Sequence, residues 1–171
     1  MTAEECINKA YHSILHSDFE QAIYWFEQAI ALEGDNPNHH YKLSITYARS
    51  NRVALAIEQA ELAIHYAPSN EGYKIHLNCL LAKKKTMDAK KMMYQSLQET
   101  HHAIMLLKEA IALDSLAIQS YVVLAMAYAE LQDYHQAIQY VKEAQKLDPY
   151  DIVIEDLLNQ YKQSLAKLLK S

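Results

Sequence analysis

Nine histidines and two cysteines are the residues of this 171-residue chain best suited to hold a metal or attack a bond. His12 and His16 are four apart, and His39-His40 and His101-His102 are adjacent pairs. Zinc uses a four-residue spacing on a helix, but it needs further ligands converging in space. The catalytic form also places a glutamate directly after the first histidine. Ser13 stands there instead, so the histidines read as surface residues and no metal is expected. Cys6 and Cys79 lie far apart with no CxxC spacing, which points to neither a zinc site nor a disulfide framework. Only Gly34 and Gly72 are available to build a phosphate loop, too few for a nucleotide motif. The expectation is a chain that is no enzyme and needs no cofactor.

The elements that would position these residues are helices. Two glycines and three prolines leave little turn chemistry for a β fold, and the abundant Ala, Leu, Ile, Gln, Glu and Lys favour helices joined by short turns. Half of the chain is apolar, yet no window approaches the roughly 18 to 20 uninterrupted apolar residues of a membrane span. Met1-Thr2-Ala3-Glu4-Glu5 is acidic and leads into an amphipathic pattern, which is not a signal peptide. A cytoplasmic, reducing location is expected. The formal charge of −5 argues against non-specific binding to nucleic acid, which depends on neutralising phosphates.

One unit recurs along the chain. The pairs Ala22-Ile23, Ala56-Ile57, Ala103-Ile104 and Ala137-Ile138 are spaced by 34, 47 and 34 residues. A second alanine follows each pair at one offset, at Ala29, Ala63, Ala110 and Ala144. Two columns in register mark four repeats, the third carrying a 13-residue insertion. Alanine suits this place because antiparallel helices approach closely only where a small side chain faces the neighbouring backbone. Stop signals close each repeat: Asn36-Pro37, Pro68-Ser69-Asn70, Asp114-Ser115 and Asp148-Pro149.

With these columns in hand, the chain resembles the tetratricopeptide-repeat family. In the fourth repeat Tyr121, Leu124, Ala125 and Tyr128 stand where that family has its W-x2-L-G-x2-Y signature. The second matches through Leu43, Ser44, Tyr47, Ala56, Ala63 and Pro68, with Ala60 in place of a large residue. The first helix of repeat one departs, with Lys9 at a usual leucine position and Ser13 at a usual tyrosine position. The resemblance implies an all-α fold: a single domain forming a right-handed superhelix, or α-solenoid, of four helical hairpins at about 3–36, 37–70, 71–117 and 118–151. Residues 152–170 follow as a ninth helix with an apolar stripe of Ile154, Leu157, Leu158, Tyr161, Leu165 and Leu168. A terminal repeat needs a cap, and this helix either supplies it or pairs with a second copy.

By the family pattern the first helix of each hairpin lines a concave face. Its matching positions are Ile7 and Tyr11, Tyr41 and Ile45, Ile75 and Cys79, and Val122 and Met126. Leu15, Arg49, Lys83 and Glu130 match a position at the rim. The family's clamp for a terminal carboxylate looks absent, since the comparable positions carry Ile7, Tyr11, Lys42, Gly72 and His76. An apolar groove suits a helical or extended apolar segment of a partner protein. The same positions instead form core if the groove packs on itself or on the ninth helix. Cys79, placed in that groove, is expected to be a buried, inert thiol.

The insertion offers a second surface, with Lys84, Lys85, Lys90 and Lys91 interleaved with Met87 and Met92. Apolar residues from Met93 onward alternate four and three apart, suggesting a long helix entered by a turn near Lys84–Asp88. A turn near Gln95, lengthening both helices equally, fits as well. Such an arm is either a docking surface with flexible methionines or a solvated face. Function is then expected to lie in binding another protein as an adaptor, scaffold or chaperone-like module, or else in self-assembly through the ninth helix or the arm.

Overall fold

A computed structural model of the chain describes residues 1–170. Among them there are nine helices and no strand: α1 Ala3–Leu15, α2 Phe19–Leu32, α3 Pro37–Arg49, α4 Val53–Tyr66, α5 Glu71–Met92, α6 Leu97–Leu113, α7 Ile118–Glu130, α8 Tyr134–Leu147 and α9 Ile152–Leu168. The ends are set by local chemistry. Thr2 and Glu5 form a reciprocal capping box on α1, and Asp18, Asn36, Ser96, Asp133 and Asp151 each accept a backbone N–H of the helix that follows. Each such cap is worth about 1 kcal/mol because it satisfies a donor the helix leaves unpaired.

Three of the hairpin turns share one geometry. Ser17, Asn51 and Gln132 adopt φ of 59°, 60° and 61°. The next residue's N–H then reaches back to a carbonyl five earlier: Asp18 to Ser13, Arg52 to Tyr47 and Asp133 to Tyr128, all at 2.9 Å. This is the six-to-one bond of a Schellman ending, made here without glycine.

The chain divides into two compact units, Met1–Leu80 and a second from Leu81. In the N-terminal unit α1 packs on α2, α2 on α3 and α3 on α4. The core gathers Cys6, Ile7, Phe26, Leu43 and Tyr47 around Ala29 and Ala56. In the C-terminal unit one cluster joins Ala89 of α5 and Met93 of the following turn to Leu107, Val123 and Leu124. A second joins Ala125, Val141 and Ala144 to Ile154, Leu158 and Tyr161 of α9. All eight alanines of the two repeat columns have no exposed surface, as close helix approach requires. Any added side-chain volume there has no room to enter.

The insertion takes a different course from a turn at Lys84–Asp88. Those residues lie inside α5, where Thr86 is buried and its hydroxyl donates to the Ala82 carbonyl at 2.9 Å. The turn falls at 93–96, around the alternative position at Gln95, and the two helices lengthen unequally. α5 has 22 residues against 13 in α3, and α6 has 17 against 14 in α4. The reason lies in Ala82, Thr86, Ala89 and Met93, a buried stripe at helical spacing that holds α5 on the core to its end. Ser96-x-x-Glu99 was a readable capping signal for the start of α6, and Ser96 Oγ accepts from the Glu99 N–H at 3.1 Å.

Candidate functional site

The first helices of the hairpins do not present their groove positions uniformly. In the N-terminal unit Tyr11, Tyr41, Ile45 and Arg49 line one cleft of about 280 Å³, together with Phe26 and Lys42. Its floor is aromatic: Tyr11 meets Phe26 edge-on at 6.0 Å between ring centroids, and Tyr41 packs against Tyr73 at 4.8 Å. Its rim is cationic. Lys42 Nζ lies 5.0 Å from the Tyr11 ring centroid, a cation–π contact worth about 0.5–1 kcal/mol at such exposed sites. No carboxylate lines this cleft among the described residues.

Other groove positions fall elsewhere. Ile7 is a correction: it is 7% exposed and belongs to the N-terminal core, where a partner cannot reach it. Cys79 is another, because it is exposed and not buried. It shares a solvent-facing side of α5 with Ile75, four residues earlier, while Leu80 turns into the core. Lys83 is exposed as well. Val122 packs on the cluster that α9 closes, so in the fourth repeat the ninth helix covers part of the face the family pattern leaves open.

Met126 and Glu130 line a second cleft, in the C-terminal unit, of about 340 Å³. Tyr134 of α8, Leu157, Gln160, Tyr161 and Ser164 of α9, Ala129 of α7 and Tyr94 from the α5–α6 turn also line it. Tyr134 and Tyr161 lie 6.4 Å apart between ring centroids. Burial, with lesser effects from Tyr94 and Tyr134, pushes the Tyr161 hydroxyl up to about 12, so it stays a protonated phenol at neutral pH. Sequence reasoning missed Tyr94 and the α8–α9 residues, since nothing in the repeat pattern places a turn or a cap beside the fourth repeat's groove positions.

The Lys/Met surface is partly engaged. Lys84 pairs with Asp88 and Lys85 with Glu109 of α6 at 2.6 Å, while Met87 and Met92 are half-buried. Lys90 and Lys91 are exposed. The adjacent histidines also divide: His101 and His102 lie at the surface, but His39 and His40 are buried at 6% and 4% exposure. The ring nitrogens of His40 lie 2.8 Å from Gln59 Oε1 and 2.9 Å from the Gly34 carbonyl oxygen, a structural bridge between α3, α4 and the preceding turn. His76 Nε2 lies 2.8 Å from Ser44 Oγ, whose hydroxyl donates to the Ala56 carbonyl at 2.6 Å. That serine's proton is committed to the backbone, so the pair is built for packing and not for nucleophilic attack.

Tetratricopeptide-repeat family models match residues 16–71 and 118–151. Those two segments cover over half of the chain, which belongs to the tetratricopeptide-repeat family. No curated protein matches it in sequence. Among solved structures, MamA 41-end from Desulfovibrio magneticus RS-1 is similar at 16% identity and a TM-score of 0.55, covering 98% of this chain and 93% of that one. A second MamA crystal structure is similar at 18% identity and a TM-score of 0.56, covering 98% and 90%. A chain of the APC/C hetero-tetramer Cut9–Hcn1 is similar at 17% identity and a TM-score of 0.55, covering 94% of this chain and 30% of that one. At such identities the likeness is one of fold, an all-α repeat of helical hairpins. The chain is a protein–protein interaction module of that family. Among the described residues no helix is long and apolar enough to cross a membrane.

Proposed function

We propose that the chain serves as an adaptor or scaffold, and that its N-terminal cleft receives a helical or extended apolar segment of a partner protein. The observation that carries this reading is that Tyr11, Tyr41, Ile45 and Arg49, four positions drawn from two separate repeats, line one cleft. Aromatic walls supply anchors that lose little conformational entropy on binding, and Lys42 with Arg49 favours an acidic residue beside the apolar stretch. The test compares proteins captured from source-cell lysate by wild type and by Ile45→Asp, with circular dichroism to verify the fold. A carboxylate forced against the apolar wall should weaken true partners at least about tenfold, equivalent to roughly 1.4 kcal/mol. A folded variant that still captures every partner would reject the cleft.

Self-assembly through the C-terminal helix is the second reading. It draws on Ile152 and Val153, 72% and 65% exposed at the start of α9, and on Leu169, 73% exposed just past its other end. Light scattering that finds a strict monomer at high concentration would remove it.

A further inference from the structure

We infer that the C-terminal cleft is a socket for one basic side chain, arginine or lysine, projecting from a partner polypeptide. This goes beyond the proposed function, because it concerns a different cleft and a different chemistry.

The walls suit the two halves of such a side chain. Met126 and Leu157 offer apolar surface for the methylene stem, and Tyr94 and Tyr134 add aromatic surface for the head, with Tyr161 also in the lining but only 6% exposed. A tyrosine ring carries negative charge density on its face and so attracts a cation. Among the described residues Glu130 is the only charged one lining the cleft, and no cation lines it. The amine nearest in kind, Lys167, borders the adjoining cleft together with Tyr134. Tyr161 is held in place beforehand, being 6% exposed and packed with Ile154 and Leu158. A volume of about 340 Å³ is at the small end for ligand sites and leaves room for one long side chain.

The insertion explains how Tyr94 comes to be there. The other three hairpins put Ser17, Asn51 or Gln132 at the left-handed turn position, whereas the third puts a tyrosine at φ 72°. A bulky residue in that conformation is a strained choice that surrounding structure must offset. Here the strain sets an aromatic ring, 59% exposed, against the cleft.

The test uses the full chain with methyl-labelled methionine and the peptides Ac-Leu-Ala-Xaa-Ala-Leu-NH2, where Xaa is Arg, Lys, norleucine or Glu. The Met126 methyl signal, assigned by Met126→Leu, reports occupancy. Arg and Lys peptides should shift it saturably and the Glu peptide should not. Norleucine should bind at least about fivefold more weakly, and Tyr94→Ala should weaken the Arg peptide about fivefold, as loss of a cation–π contact does. Glu130→Gln should weaken it severalfold, up to about fivefold for an exposed charge pair. Both altered residues are exposed, and circular dichroism checks that each variant folds. The inference is overturned if norleucine binds as well as arginine, if both variants bind the Arg peptide unchanged, or if no peptide shifts the signal at about 10 mM, beyond millimolar affinity. Guanidinium ion at equal concentration giving the same saturable shift would overturn the polypeptide assignment.

Discussion

The two clefts are built from corresponding helices of the same repeat and differ in almost everything a ligand would feel. The N-terminal one is made wholly by the regular hairpins α1–α3, with Lys42 and Arg49 at its edge. The C-terminal one borrows a wall from α9 and a ring from the insertion turn, and among the described residues its only charged side chain is Glu130. Regular repeats thus give a face whose chemistry follows the repeat positions. Irregular additions, a cap and a lengthened hairpin, give the equivalent face a site of comparable size and opposite charge. The repeat positions account for the first site, while the second draws on α9 and the third hairpin's turn, which the repeat pattern does not describe.

The largest break in that comparison comes from the wall α9 provides. Ile154 is 1% exposed in the cluster that holds α9, so Ile154→Ala should cost about 2–5 kcal/mol by lost burial and residual cavity. Urea unfolding should register that loss, and partner binding at the N-terminal cleft should survive at temperatures where the variant remains folded. A smaller perturbation reaches the other borrowed wall: Ser96→Ala removes the cap of α6 and should cost about 1 kcal/mol. It should also weaken the Arg-peptide binding described above, because the turn bearing Tyr94 loses its anchor. Unchanged peptide binding in a measurably destabilised Ser96→Ala protein would show that the turn holds itself.

A pH titration sharpens the contrast from the N-terminal side. Burial lowers the pKa of His76, and burial also lowers that of His39 although Glu33 partly opposes it. The buried Nδ1 of His39 has no hydrogen-bond partner. Both folded values lie below the ordinary value of 6.5, so the unfolded chain takes up protons first. Stability is therefore complete above about pH 6.5, the ordinary histidine value, and declines as pH falls through and below it. Urea midpoints at pH 7.5 and 5.5 should show that loss, and His76→Gln should flatten it; an identical pH dependence in the variant would clear His76 of any part in it. The smallest expected effect is at the insertion itself, where the half-exposed Lys85–Glu109 pair should contribute only about 0.2–1 kcal/mol. A double-mutant cycle measures that coupling.

Much of the fold was legible because repeats print the same demand several times. The alanine columns announced close helix contacts, and all eight alanines are fully buried. The groove was legible only in part. Positions such as Tyr11 and Ile45 depend on their own helix and its immediate neighbours, which the repeat describes. Ile7, Val122 and Cys79 depend on what packs beside them, and a pattern shared by every repeat cannot report a local absence or a borrowed cap. The turn of the third hairpin was ambiguous for a related reason: no glycine or proline marks it, and the Ser96–Glu99 cap was the one local sign of where α6 begins. His39 and His40 read as surface residues because their adjacency carries no hydrophobic period, although α3 turns both inward.

The unequal lengthening of the third hairpin has a consequence in angle as well as in reach. The nine residues that α5 has beyond α3 extend it by about 14 Å and add about two and a half turns. The half turn matters, because it swings the departure of the chain to the opposite side of the helix axis. Excising all nine would therefore redirect Tyr94 as well as retract it. Removing seven, about two whole turns, would shorten the helix and leave its azimuth nearly unchanged. Reach and bearing are thus separable on one helix, and a deletion series through α5 should show a periodic dependence of the tyrosine's position on the number of residues lost.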